Sequence, residues 1–247
     1  METAKKKVLI DSGSDIESCV AILMALASPE IEVVGITSAT DEDFPVLKEL
    51  CLLAEKRHIP LYKPEKAPDF IKLAMEDFSG SLYIASLSDC RNIYQVLNDI
   101  PPEKIQIKQL FVTEKYIADS LKASLLYKID KLTLISSDLA EVIRITLHDL
   151  VIMEALHTKS ATYISEQIKE KLANNPENYL VLYNPIAVAC ILRPALFGGI
   201  FGSASFYGGI AKEESFATEE QNNILCINEV NIDAFFALLN ERLAMLP

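Results

Sequence analysis

The sequence has few of the residues from which familiar catalytic and binding signatures are built. Its three histidines, His58, His148 and His157, are isolated from one another, and His148-Asp149 reads as a solvated pair in a helical run rather than a dyad. No CxxC pair occurs; the five cysteines, Cys19, Cys51, Cys90, Cys190 and Cys226, are scattered in apolar surroundings, as reduced core thiols of a cytoplasmic protein are. No apolar run reaches the roughly 18 residues of a membrane span. Lys5-Lys6-Lys7 lead straight into a short strand, so no apolar signal region is expected at the N-terminus. Glycine and proline are few, 8 and 11 in 247 residues, which with half the residues hydrophobic describes a compact chain rather than a disordered one.

Basic residues are also scarce. Lys and Arg number 23 against 35 Asp and Glu, a net charge of −12. Such a chain repels nucleic acid and anionic membrane, and neither is expected as a partner. Ser86-Leu87-Ser88 lacks the G-x-S-x-G elbow of serine hydrolases. Asp11-Ser12-Gly13 lacks the second Asp of an aspartate-based phosphatase loop. Gly198-Gly199 and Gly208-Gly209 flank apolar residues and read as turns, not as a phosphate cradle.

What the sequence does contain begins at Val8. Val8-Leu9-Ile10 reads as a buried strand. A polar loop with three carboxylates in seven positions follows, Asp11, Asp15 and Glu17, and then an apolar helix over 17–27. Strand, acidic loop and helix is where an α/β protein places a ligand, at the carboxyl end of the strand. Further strands are expected at 31–36, 58–62, 82–86, 107–112, 131–135 and 223–227, with 201–209 as a strand or hairpin arm. Helices are expected at 44–57, 70–77, from a Ser88-Asp89 cap to Leu97, at 118–127, and at 185–192 and 232–245. The stretch 139–172 reads as mostly helical, capped at Ser160 or Thr162. Alternating strands and helices at this spacing predict an α/β fold: a mostly parallel sheet with helices on both faces, in one domain spanning 1–247.

Several segments, in order, resemble the inosine-uridine-preferring nucleoside hydrolases. The family opens with a strand and D-x-D-x-x-x-D-D. Leu26-Ala27-Ser28-Pro29 and Glu30 to Thr37 are similar to the end of its first helix and its second strand. Ile59-Pro60-Leu61-Tyr62 resembles its I-P-V-Y, and Ser88-Asp89-Cys90-Arg91-Asn92 stands at its G-P-L-T-N. Tyr183 to Ala189 resembles its H-D-P-L-A-V-A, and Asn223 to Ile227 with Val230 to Phe236 its last strand and helix.

The resemblance implies hydrolysis of an N-ribosidic bond, with an acid-held calcium ion binding the ribose hydroxyls and the attacking water, and a carboxylate as general base. Carried over position by position, the first signature Asp is Asp11. The second, a metal ligand, falls on Gly13. The general base falls on Glu17, and the fourth Asp on Ser18. The distant Asp ligand falls on Asn184 and the leaving-group His on Tyr183. The ribose-binding Asn after the second strand falls near Glu42. The family's glycine-rich segment and its A-E-F-N motif have no counterpart between Val112 and Asp119, and the role of the family Glu is not carried to Glu114.

The expectation is therefore a divergent relative whose calcium-dependent centre is degraded and which retains riboside-like small-molecule binding. Glu17 is the candidate base, and Asp11, Asp15, Glu42, Asn92, Tyr183 and Asn184 are candidate ligand contacts. No metal or cofactor is expected; in the alternative, an active calcium-dependent N-glycosidase, Glu17 is the base and Asp11, Asp15 and Asn184 supply the metal or ribose contacts, while Asp11, Asp15 and Glu17 are the candidates for a replacement cation site. The plainer roles are capping of the first helix by Asp15, a favourable dipole contact for Glu17, and packing for Tyr183 and Asn184. Homo-oligomerisation is expected, and a structural self-associating protein is the third reading.

Overall fold

The computed structural model describes residues 4–117, 128–129, 131–202 and 224–247. β1 (Lys6–Ser12) leads into α1 (Ile16–Ala27), then β2 (Ile31–Ser38), α2 (Phe44–Leu53), β3 (Leu61–Tyr62), α3 (Ala67–Asp77), β4 (Leu82–Leu87), α4 (Arg91–Asp99), β5 (Gln109–Thr113) and β6 (Leu132–Ile135). A short strand β7 (Arg144–Ile145), α5 (Leu147–Glu154), α6 (Lys159–Ala173), a second short strand β8 (Leu180–Val181) and α7 (Tyr183–Leu192) follow. β9 (Phe197–Gly202), β10 (Ile224–Val230) and α8 (Ile232–Ala244) complete the order. No helix among the described residues is long and apolar enough to cross a membrane.

Eight strands form one sheet in the order β3-β2-β1-β4-β5-β6-β10-β9, and every pairing except β10–β9 is parallel. Buried parallel strands are apolar on both faces, which is why they stand out in the sequence as runs. Val8, Ile10, Ala85, Leu87, Phe111 and Ile227 pack on one face with α1 and α7. Leu9, Ile84, Leu110, Val112, Leu132 and Leu134 pack on the other with α3 and α4. Residues 17–27 of α1 are all buried, because this helix lies between the sheet and outer helices.

Most expected elements are present; the differences have local causes. The helix over 44–57 ends at Leu53, where Ala54 closes it and Glu55 takes a left-handed φ of 55°. Neither Ser160 nor Thr162 caps α6: Thr158 does, its hydroxyl accepting from the Ala161 amide at 3.0 Å. At α4 the cap position is Cys90, at φ 61°, and not Ser88 or Asp89; the Asp89 carboxylate takes the Arg91 amide instead. The region 139–172 holds two helices, a 3-10 turn and β7 rather than helix alone. Asp149 does not pair with His148: it accepts from the Thr146 amide and hydroxyl in a capping box.

Gly198 and Gly199 are not turns but lie inside β9. A Cβ on Gly199 would stand 2.5 Å from the Cys226 carbonyl oxygen, so β10 approaches β9 there only because that side chain is missing, whereas one on Gly198 would meet the Glu229 side chain, whose carboxylate can swing aside. The expected strand begins earlier than 201, and its part beyond Gly202, the helix at 118–127, Gly208-Gly209 and Asn223 lie outside the described residues.

Candidate functional site

The carboxyl ends of β1, β2, β4 and β5 converge on the loop before α1. The sheet's alternation decides where Asp11 points. Leu9 belongs to the α3/α4 face, so Asp11, two residues on, turns to the same side. There it is fully buried and accepts from Thr37 Oγ1 at 2.7 Å, Asn92 Nδ2 at 2.8 Å and, more distantly, Ser88 Oγ at 3.5 Å. Asn92 Nδ2 also donates to the Ser38 carbonyl at 3.0 Å. Burial pushes the Asp11 carboxyl above its ordinary value, against the opposing pull of Asn92 and Thr37.

Asp15 caps α1. Its oxygens accept from the Ser18 amide at 3.0 Å and from Ser18 Oγ at 2.7 Å. Ser18 Oγ also lies 3.0 Å from the Leu87 carbonyl. Asn184, fully buried in the first turn of α7, joins this group: its Nδ2 donates to Ser18 Oγ at 2.9 Å and to the Leu87 carbonyl at 3.0 Å, while its Oδ1 accepts from Thr113 Oγ1 at 3.1 Å. The Leu87 carbonyl is only an acceptor, so the Asn184 atom facing it is the nitrogen.

Glu17 belongs to a third group. It is 8 % exposed. Oε2 accepts from the Tyr183 backbone amide at 2.9 Å, and Oε1 from the Tyr116 hydroxyl at 3.1 Å and the Lys115 ammonium at 3.4 Å. Burial raises the Glu17 carboxyl above its ordinary value; Lys115 opposes this and Asp15 adds to it. Burial and Glu17 together push the Tyr116 hydroxyl up. The Lys115 ammonium lies 5.1 Å from the Tyr116 ring centroid and 5.3 Å from that of Tyr183. Tyr183 in turn donates its hydroxyl to the Ser137 carbonyl at 3.0 Å. Ile16, Glu17, Lys115, Tyr179, Val181 and Tyr183 border a cavity of about 240 Å³.

The predicted residues thus divide among separate sets of donors. Asp11 and Asn92 meet each other; Asp15 and Asn184 meet through Ser18; Glu17 and Tyr183 meet through a backbone amide. Glu42 is exposed, while its neighbour Asp43 is buried and accepts from Ser14 Oγ at 2.6 Å, Thr40 Oγ1 at 2.7 Å and the Thr40 amide at 2.9 Å. Among the described residues no three His, Cys, Asp or Glu side chains converge as a metal site would require. Lys115, Tyr116, Thr113 and Asp43 are the participants that sequence reasoning had not assigned. Their one signal is position: Thr113, Lys115 and Tyr116 stand at or just past the carboxyl end of β5, on the rim of the sheet where ligands bind.

A parallel eight-stranded sheet with one antiparallel edge and an acidic loop after its first strand defines an α/β protein with a rim site. Its fold is that of the nucleoside hydrolases. The plant nucleoside hydrolase PpNRh1 superposes with a TM-score of 0.83 at 16% identity, covering 97% of this chain and 99% of that one. The purine-preferring ribonucleoside hydrolase from Gardnerella vaginalis gives 0.79 at 16% identity, covering 97% and 98%. The inosine-uridine preferring nucleoside hydrolase from Bacillus anthracis gives 0.73 at 11% identity, covering 98% and 100%. No family sequence model matches the chain, and no curated protein matches it in sequence.

Proposed function

We propose that this protein keeps the nucleoside-hydrolase fold without a calcium-dependent ribohydrolase centre, and that it binds a riboside-like small molecule without hydrolysing it efficiently. The observation that carries this reading is the Asn184 amide. Calcium requires about six to eight converging oxygen ligands. Here an N–H donor faces the Leu87 carbonyl and Ser18 Oγ, and a donor repels a cation. Gly13 offers no side chain, and Asp15 and Asp11 are each satisfied by hydroxyl or amide donors. These residues do not fit calcium.

The remaining polar groups support recognition of a neutral polar ligand. Glu17, Lys115 and Tyr183 reach the cavity and offer an acceptor, a donor and an aromatic face. At about 240 Å³ and open on one side, the cavity holds a ribose-sized group and leaves the rest of a ligand at the surface. With this reading go a cytoplasmic protein, supported by the buried thiols of Cys19, Cys51, Cys90 and Cys190, and self-association. The latter is supported by Leu147, Val151 and Ile152, which are 57, 63 and 48 % exposed on α5.

The test is calorimetry with calcium on chelator-treated protein, then ribose release from inosine and uridine in the same buffer. The expected result is no calcium heat and no release. Tight calcium binding, with turnover abolished by Glu17→Gln, would overturn the reading and establish an active N-glycosidase with Glu17 as its base.

A further inference from the structure

A groove that this function leaves unused lies away from the rim. α7 ends at Leu192 and a 3-10 turn at Pro194–Leu196 diverts the chain into β9, so among the described residues part of the α1/α7 face of the sheet has no helix over it. The result is a groove of about 590 Å³. Tyr83, Phe111, Leu225 and Ile227 from three strands line it, and Phe197 and Phe201 of β9 wall one side. A parallel sheet is ordinarily covered on both faces, and an apolar groove in one is a place for an apolar occupant.

The groove also has a charged end. Lys6 opens β1, Lys108 precedes β5 and Lys131 precedes β6, and all three border it. Parallel pairing brings the amino ends of these strands to one edge of the sheet, so three cations meet there in a chain whose net charge is −12. Lys6 donates to the Ile191 carbonyl at the end of α7, and Lys131 to the Ile107 carbonyl at 3.4 Å. Among the described residues no carboxylate pairs with Lys108 or Lys131. Inside the groove, Gln109 donates to Thr133 Oγ1 at 2.9 Å, so that polar pair is self-satisfied and makes no demand on an occupant.

We propose that this groove binds a free single-chain amphiphile with a carboxylate head, its tail along Tyr83, Phe111, Leu225 and Phe201 and its head at Lys108 and Lys131. The volume lies within the roughly 300–1,000 Å³ of small-molecule sites. Every methylene taken out of water adds to the affinity, so the tail supplies most of it. The lysines select the sign of the head and make binding weaken with salt.

The experiment is fluorescence titration with dansyl-labelled undecanoate, competed by dodecanoate below its micelle concentration and by dodecanol. The full chain and the charge-reversed variant Lys108→Glu/Lys131→Glu are compared, both checked for an unchanged denaturation midpoint. The proposal expects saturable one-site binding, displacement by dodecanoate, and about tenfold weaker binding for dodecanol and for the variant, the loss from two exposed ion pairs. It is overturned by absence of saturable binding, by equal competition from the alcohol, by an unchanged affinity in the variant, or by binding seen only with anionic lipid vesicles.

Discussion

Asn184 is the residue on which the site turns. Replacing it with Asp removes the donor facing the Leu87 carbonyl and leaves a charge in a fully buried position. The expected cost is about 3–5 kcal/mol in chemical denaturation, since the groups around it, Ser18, Thr113 and the Leu87 carbonyl, include no cation. Millimolar calcium is expected to leave that loss unrepaired; full recovery on adding it would show that the other ligands were in place. Glu17 leads to a pH prediction. Its folded-state pKa is raised, so between its ordinary value of 4.5 and the raised one the folded chain holds more protons than the unfolded. Stability at this residue is therefore full at acid pH and declines as pH rises through that window, opposite to the usual carboxylate. Asp11 contributes with the same sign. Glu17→Gln is expected to flatten the decline, measured as melting temperature from pH 4 to 8; an unchanged slope would place the dependence elsewhere. The three acidic residues also show where sequence reading stops. Spacing along the chain put them in one loop, but strand alternation turns Asp11 toward α4, Asp15 bends back to cap α1, and Glu17 reaches the amide that opens α7. Direction, unlike spacing, depends on the elements packed around the loop.

At the scale of elements, most of the sheet was legible, because a strand buried on both faces reads as an apolar run bounded by turn residues. Helix ends were less so. Ser160, Thr162 and Thr158 are all acceptable caps by type, and Thr158 is chosen because its hydroxyl also reaches the Leu243 carbonyl of α8 at 3.3 Å. Thr158→Ala is expected to cost about 1 kcal/mol, read from urea unfolding; Thr162→Ala, whose hydroxyl bonds only the preceding turn, should cost less. The start of β9, at Gly198-Gly199, was read as a turn because paired glycines usually mark one. Gly199 instead admits β10, and Gly199→Val is expected to destabilise by about 1–3 kcal/mol through the contact with the Cys226 carbonyl. A neutral result would mean that the edge strand shifts freely.

Over the whole molecule, the thiols report on the integrity of the core. Burial raises Cys51 to about 11 and Cys19 and Cys90 to about 12, and Cys190 is raised by burial as well. Native protein at pH 8 is expected to react with a thiol reagent at Cys226 alone, and at all five positions after unfolding; rapid reaction of two or more would indicate a looser core. The chain order of the strands has a consequence for synthesis. β10 sits between β6 and β9, yet it follows both of them in the chain. A nascent chain halted before residue 224 therefore carries two unsatisfied strand edges, one on each side of an unfilled slot. A ribosome-stalled or proteolytically shortened form is thus primed to accept a strand from another molecule, and β10 acts as the protein's own safeguard against that exchange.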